Sequence, residues 1–450
     1  MGPYFPGRDA RSSGHWAVSW PLGALFIAGL GAVVCLLALT GCTHAPAQVP
    51  VTLTLVEQSP GLDEAVLDSR SRELEAFHRE TGILVRSLPT PESADDQLLL
   101  WERLLDSHAS SPDVYSLDCI WPGILAEHVI DLRPYMDSQL RQFVPALVSN
   151  YTVNGAVVAA PSRTSTGLLF YRKDLLKKYG YSGPPTTWDD LERMAARIQA
   201  GERALGKRDF WGYVWEGAGG EPLMCNALEW QASEGGGLII ESDGSVSVNN
   251  PRAIAAWERA ASWVGTISPQ AVTNYQEEDA ANIWLAGNAA FMRNWPSAYL
   301  SSSFDRSEVR GRFEATVIPA GRAGHWGTVG GSSYAVSRYS THQKEAVALV
   351  RYLTRRDIQT SRAYLNDGFP IFPDLYHDPR VLAASPYLQD VERNEHFAVR
   401  PSAVCGKNYQ KVSGAYAEAI HAVLTHAQTA SRAARELEKT LMRITGRPPR

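Results

Sequence analysis

VTLTLVEQSPGLDEAVLDSRSRELEAFHRETGILVRSL, residues Val51 to Leu88, decides the fold class. Its first seven residues alternate apolar and polar up to Glu57, the period of a half-buried strand. Leu67, Leu74 and Phe77 then fall on one helical face, and Gly82 stops that pattern. Residues 83–88 return to a strand pattern. The same cycle repeats. Leu98, Trp101, Leu104 and Leu105 mark a second helix, and residues 113–118 (DVYSLD) a third strand that runs into Trp121-Pro122-Gly123. Strands alternating with helices argue βαβ units, a mostly parallel sheet and an α/β fold.

Further along, Thr187-Trp-Asp-Asp190 is a capping-box-like helix start, with Leu191, Met194 and Ile198 behind it. Asn250-Pro251 opens another helix whose buried face holds Ile254, Trp257 and Val264. Residues 317–319 and 334–336 read as short strands, and 342–354 as a helix with Val347, Val350 and Leu353 inward. Residues 412–445 form two amphipathic helices ending at Gly446. No internal repeat is present.

The chain has 450 residues, 43 basic and 48 acidic. Without residues 1–41, which hold Arg8, Arg11 and Asp9, the balance is 41 against 47, a formal −6. That gives no basic footprint for nucleic acid. At 44% hydrophobic and 20% charged the chain is globular. About 400 residues exceed one usual core and point to two lobes. Beyond residue 42 only Cys119, Cys225 and Cys405 remain, too few for a disulfide framework; the composition leaves open whether two of them pair.

No P-loop, GxSxG or HExxH occurs, and His421 and His426 have the wrong spacing for one helical face. The stretches 217–220 and 235–237 lack the strand–turn–helix context of a dinucleotide fingerprint and read as loop glycines. The expectation is a protein without catalytic centre, metal or cofactor, which favours binding over catalysis.

Residues 21–40 (PLGALFIAGLGAVVCLLALT) are almost wholly apolar, and no Lys, Arg, Asp or Glu occurs from 12 to 56. Leu39-Thr40-Gly41-Cys42 closes this run and resembles the lipobox of bacterial lipoproteins. The resemblance implies that residues 1–41 are a signal peptide, that Cys42 is lipidated and that 42–50 form a tether. An uncleaved transmembrane helix is the alternative, since about 20 apolar residues span a bilayer. Both place the domain outside the cytoplasmic membrane, tethered to it.

Several segments together resemble the solute-binding proteins of ABC sugar importers, closest to the trehalose/maltose-binding subgroup. They are Leu117-Asp-Cys-Ile-Trp-Pro-Gly123, Gly167-Leu-Leu-Phe-Tyr-Arg-Lys-Asp174, Pro185-Thr-Thr-Trp188, and Gly212-Tyr-Val-Trp-Glu216 with Glu221, Asn226 and Glu229. Ala286-Gly-Asn-Ala-Ala-Phe-Met-Arg-Asn-Trp-Pro296, Val329-Gly-Gly331 and Ala398-Val-Arg-Pro401 complete the set, which spans 51–445. The resemblance implies a maltose-binding-like fold of two α/β lobes, 51–160 plus 297–355 and 161–296 plus 356–445. Ligand lies between them, the lobes close by hinge motion, and the closed form docks on a membrane permease.

A sugar needs hydrogen-bond acceptors and donors for its hydroxyls, and an aromatic face for its C–H side. The resemblance puts such contacts at Glu57, Asp118, Trp295 and Arg400. Glu221 falls in a loop facing the cleft. Trp121 either stacks on sugar or supports its loop; a turn cap is the alternative for Asp118, a core position for Trp295, and an interlobe salt bridge for Arg400. Two departures bear on specificity. Where the subgroup carries Tyr-x-Asp this chain has Arg163-Thr164-Ser165, and where it has Gly-Gly-Trp this chain has Gly330-Gly331-Ser332. Trehalose or maltose itself is therefore in question, and Trp326 is a substitute ring. A same-fold receptor for a non-sugar or modified-sugar solute, and an extracytoplasmic glycosidase, are the competing expectations.

Overall fold

The computed structural model describes residues 50–57, 64–91, 94–241, 243–366, 368–392 and 396–450. The signal-peptide, lipidation and tether readings over 1–49, Cys42 included, lie outside the described residues. Among the described residues the strands are β1 (Thr52–Val56), β2 (Leu84–Leu88), β3 (Val114–Asp118), β4 (Thr152–Val153), β5 (Ala156–Val157), β6 (Ala160–Thr166), β7 (Leu168–Arg172), β8 (Trp211–Val214), β9 (Ala289–Asn294), β10 (Phe313–Val317), β11 (Gly327–Val336) and β12 (Phe397–Ala398).

They build two main sheets. In the first, β2, β1 and β3 run parallel, as the alternating pattern of residues 51–118 predicts, and β11 adds antiparallel to β3. β11 also pairs with β6 and, at its start, with β12. The second sheet has the order β10-β7-β9-β8, with β8 and β9 parallel and the rest antiparallel. Both sheets are covered on two faces. Leu53 and Leu55 of β1 enter one core while Val56 enters another. Leu168 and Phe170 of β7 point away from the layer that takes Leu169, because successive strand residues face opposite sides.

The helices start and stop where local chemistry dictates. Thr187 accepts from the Asp190 backbone N–H at 3.1 Å, capping Trp188–Ala204. The Asn250 side chain accepts from the N–H groups of Arg252 and Ala253 at the head of Pro251–Trp263. Helix Glu64–Thr81 ends at Gly82 and Ala430–Thr445 at Gly446, both at positive φ. Cys119, Cys225 and Cys405 are free thiols. Among the described residues no helix is long and apolar enough to cross a membrane, and no cluster of His, Cys, Asp or Glu could hold a metal ion.

The chain crosses between the sheets at Gly167, directly between β6 and β7, and again over residues 318–326, between β10 and β11. These two crossings lie away from the expected bounds at 160/161 and 296/297. β6 belongs to the first sheet although 161 was the expected start of lobe two, and β10 pairs in the second sheet although it falls within 297–355. Ladder pairing, which the alternation of helix and strand does not encode, decides this. β11 is also longer than the short strand expected at 334–336. Its Gly330-Gly331-Ser332-Ser333 stretch lacks the β-branched signal of a strand. At Gly331, φ is +135°, and a Cβ there would lie 2.5 Å from the Arg163 carbonyl oxygen. Only glycine lets β6 and β11 approach this closely.

Candidate functional site: a cleft strung along one strand

The sequence-predicted residues distribute along β11. At its near end the Val329 carbonyl accepts from Arg400 Nη2 at 3.3 Å. Gly330 lies beneath both Ser165 and Trp295; a Cβ on it would come within 2.6 Å of the Ser165 hydroxyl and 2.8 Å of Trp295 Cζ3. Gly331 accepts from the Cys119 N–H at 3.0 Å. Ser332 stands between Asp118 on β3 and Arg163 on β6, its hydroxyl 3.3 Å from that of Ser162. At the far end the Tyr334 hydroxyl donates to Glu57 at 3.3 Å.

Three groups result. In the first, Glu57 is 3.3 Å from Arg70, which holds Glu73 at 2.7 Å, and Arg362 forks onto Glu73 from the other side. Arg163, half-buried, faces this group and acts on the Tyr334 phenol, which burial holds well above its ordinary pKa. In the second, Arg400 Nη1 donates to Glu221 at 2.8 Å and Nη2 lies 3.4 Å from Asp118. Tyr409 donates to Glu221 at 2.9 Å and Ser413 donates as well. Asp118 also accepts from the Ile120 N–H at 3.2 Å and so caps the turn after β3. Arg400 thus joins the end of a first-sheet strand to the helix Glu221–Ser233, which packs beside the second sheet. The neighbouring Cys119 thiol is pushed well up by burial, then by Asp118, which disfavours the thiolate.

The third group surrounds Trp295, which is half-buried. The Arg293 guanidinium lies 4.3 Å from its ring centre. Glu277 lies nearby, its pKa raised mainly by burial and eased by its own backbone N–H, Arg293 and Trp295. Beneath, Arg293 grips Glu229 through two bonds of 3.0 and 2.6 Å and reaches Glu216 at 3.3 Å.

Asp95, at the head of helix Ala94–Asp106, lies beside the second group. Partial enclosure raises its pKa, and so do Glu221, Asp96, Glu277 and Asp118 around it, although the side chain still reaches solvent. Its carboxylate faces Gly220, at the start of helix Glu221–Ser233, where a Cβ would stand 3.3 Å away. Acids from both lobes therefore gather about Arg400 at Val329, one residue along β11 from the Gly330 that the half-buried indole covers.

Trp121 does not present a ring face. It is 1% exposed and packs in the core 5.8 Å from the Trp101 ring, so it supports its loop. Trp326 lies flat on His396, with ring centres 4.9 Å apart. Sequence reasoning missed Asp95 and Glu277, because acids in a helix first turn read as partners of the helix dipole. It also gave no role to Arg293 or Glu229, quoted only within motifs.

A family model described as bacterial extracellular solute-binding protein matches residues 105–360. A probable ABC transporter-binding protein of Deinococcus radiodurans is 42% identical over 402 residues, 88% of this chain and 94% of that one. Maltose-bound MalE3 of T. maritima superposes with a TM-score of 0.81 at 33% identity, covering 88% of this chain and all of that one. A solute-binding protein of Thermotoga lettingae bound to alpha-D-tagatose shares the fold, with a TM-score of 0.77 at 20% identity over 88% of this chain and 100% of that one. The two lobes thus have the maltose-binding-protein-like α/β architecture. With the family model matching more than half its length and a relative 42% identical across most of it, the chain belongs to the bacterial extracellular solute-binding protein family.

Proposed function

We propose that this protein is the lipid-anchored substrate-binding component of an ABC sugar importer. It captures a di- or oligosaccharide between its lobes and delivers it to a membrane permease. The observation that carries the reading is the half-buried Trp295 indole packed over Gly330 of β11, one residue along the strand from Val329, where Arg400 gathers Asp118 and Glu221. Ionised acids accept strong hydrogen bonds from hydroxyls, and the indole face takes the C–H side of a ring. Sugar-bound relatives of the same fold support this reading. Glu57, Arg163, Ser165, Gly331, Ser332 and Arg400 line or brace the same cleft, where Arg163 and Ser332 set which sugar fits. Cys42 carries the anchor, which keeps the binder at its permease and raises its local concentration there.

Calorimetry against maltose, trehalose, maltotriose and monosaccharides tests it. Saturable binding of at least one sugar, without release of hydrolysis products, is expected. No binding across the panel refutes the sugar assignment, and product release would make the protein a glycosidase.

A further inference from the structure

Arg293 and Glu229 are both fully buried, so no solute reaches either. An ion pair this deep is costly to desolvate and is maintained by good geometry. Here the geometry has two ends. At one, the Arg293 guanidinium lies over the Trp295 ring at 4.3 Å, a contact that favours one ring orientation. At the other, Glu229 Oε1 accepts from the Thr328 N–H at 3.1 Å, on the strand that has just crossed between the sheets. The other crossing touches the same carboxylate. A Cβ at Gly167 would lie 2.1 Å from Glu229 Oε1 and 2.5 Å from Arg293 Nη2, and the Gly167 N–H donates to the Thr328 carbonyl at 3.3 Å. One carboxylate therefore binds the strand after one crossing, lies against Gly167 at the other, and holds the guanidinium that backs the ring.

We propose that Arg293 and Glu229 are positioning residues for solute binding: the pair fixes the Trp295 ring relative to the two interlobe crossings, so that the aromatic platform and the hinge keep one mutual geometry. The proposal deepens the sugar-binding reading and rests on it for its effect on affinity, but the orientation of the ring is testable without any ligand.

The full chain, kept in detergent and labelled with 5-fluorotryptophan, gives fluorine resonances from its 13 tryptophans. Loss of one signal in Trp295→Phe identifies that ring. Arg293→Lys keeps the charge but loses the planar fork. It should shift or broaden the Trp295 resonance and leave the signal of Trp101, which packs on Tyr115 and Trp121 beside the first sheet, in place. Glu229→Gln, which retains size and some hydrogen bonding, should act in the same direction and serves if Arg293→Lys does not fold. In a double-mutant cycle with maltose as probe, Arg293→Lys should weaken binding about tenfold in the native background. In the Trp295→Ala background it should have less than a twofold effect, because the ring through which it acts is gone. An unmoved Trp295 resonance in both variants, or an equal loss of affinity in both backgrounds, overturns the proposal. Failure of the native protein to bind maltose or the other sugars refutes the sugar reading alone, while the fluorine signal still decides the positioning role.

Discussion

Glu216 is surrounded by protein, and one of its carboxyl oxygens has no hydrogen-bond partner. Burial, offset in part by Arg293, pushes its pKa from 4.5 up to about 7. The fold thus favours the protonated acid, while an unfolded chain ionises it near 4.5. The folded state therefore holds a proton that the unfolded state releases. The resulting stability is fully present below about pH 4.5 and is lost as pH rises towards 7. Glu216→Gln is neutral at every pH and escapes this loss. Relative to the native chain it should gain on the order of 2–3 kcal/mol between pH 4.5 and 7.5. Urea unfolding of both proteins at the two pH values measures the difference, and a difference that stays flat shows that Glu216 ionises normally in the fold.

At the scale of elements, what local chemistry specifies was legible. Residues 51–118 alternate cleanly because each strand faces two different cores, and the caps at Thr187 and Asn250 close on the N–H groups their spacing predicts. Thr187→Ala removes the acceptor for the Asp190 N–H and should lower stability by about 1 kcal/mol, with Thr187→Ser close to native. Chemical denaturation measures this, and an unchanged midpoint for Thr187→Ala means the cap contributes nothing. β11 was legible only at its apolar end. Its glycines and serines meet steric and pairing demands from three neighbouring strands, and those demands are set by tertiary approach. The site divides in the same way. Asp118 and Trp295 stood out through strand-end position and motif, whereas Asp95 and Glu277 look like ordinary first-turn acids until the lobes bring them together. Trp121 stayed open between platform and loop support, because a tryptophan after a strand end gives no local sign of which side of its loop it will face.

At the scale of the whole molecule, the lobes approach each other with a mismatch of charge. Asp95 and Asp118 come from the first-sheet side, and Glu221 and Glu277 from the second. Burial and then these neighbouring acids raise the pKa of Asp95, and burial raises that of Glu277, so this arrangement of the lobes works against ionisation at both positions. Arg400 is the cation placed between Asp118 and Glu221. Protons, Arg400 or the hydroxyls of a bound solute can each relieve the repulsion, and all three should therefore draw the lobes together. Arg400→Met keeps much of the side-chain volume but removes the bridge. Without solute, small-angle scattering should give this variant a larger radius of gyration than the native chain. The excess should be greater at pH 8 than at pH 4, because in the ordinary carboxylate range acids whose pKa is raised take up protons first, and protons on Asp95 and Glu277 substitute for the missing cation. If the radius of gyration is the same for both proteins at both pH values, Arg400 braces the cleft wall without governing the approach of the lobes. An excess that grows towards acid pH would mean that the convergent carboxylates do not oppose closure.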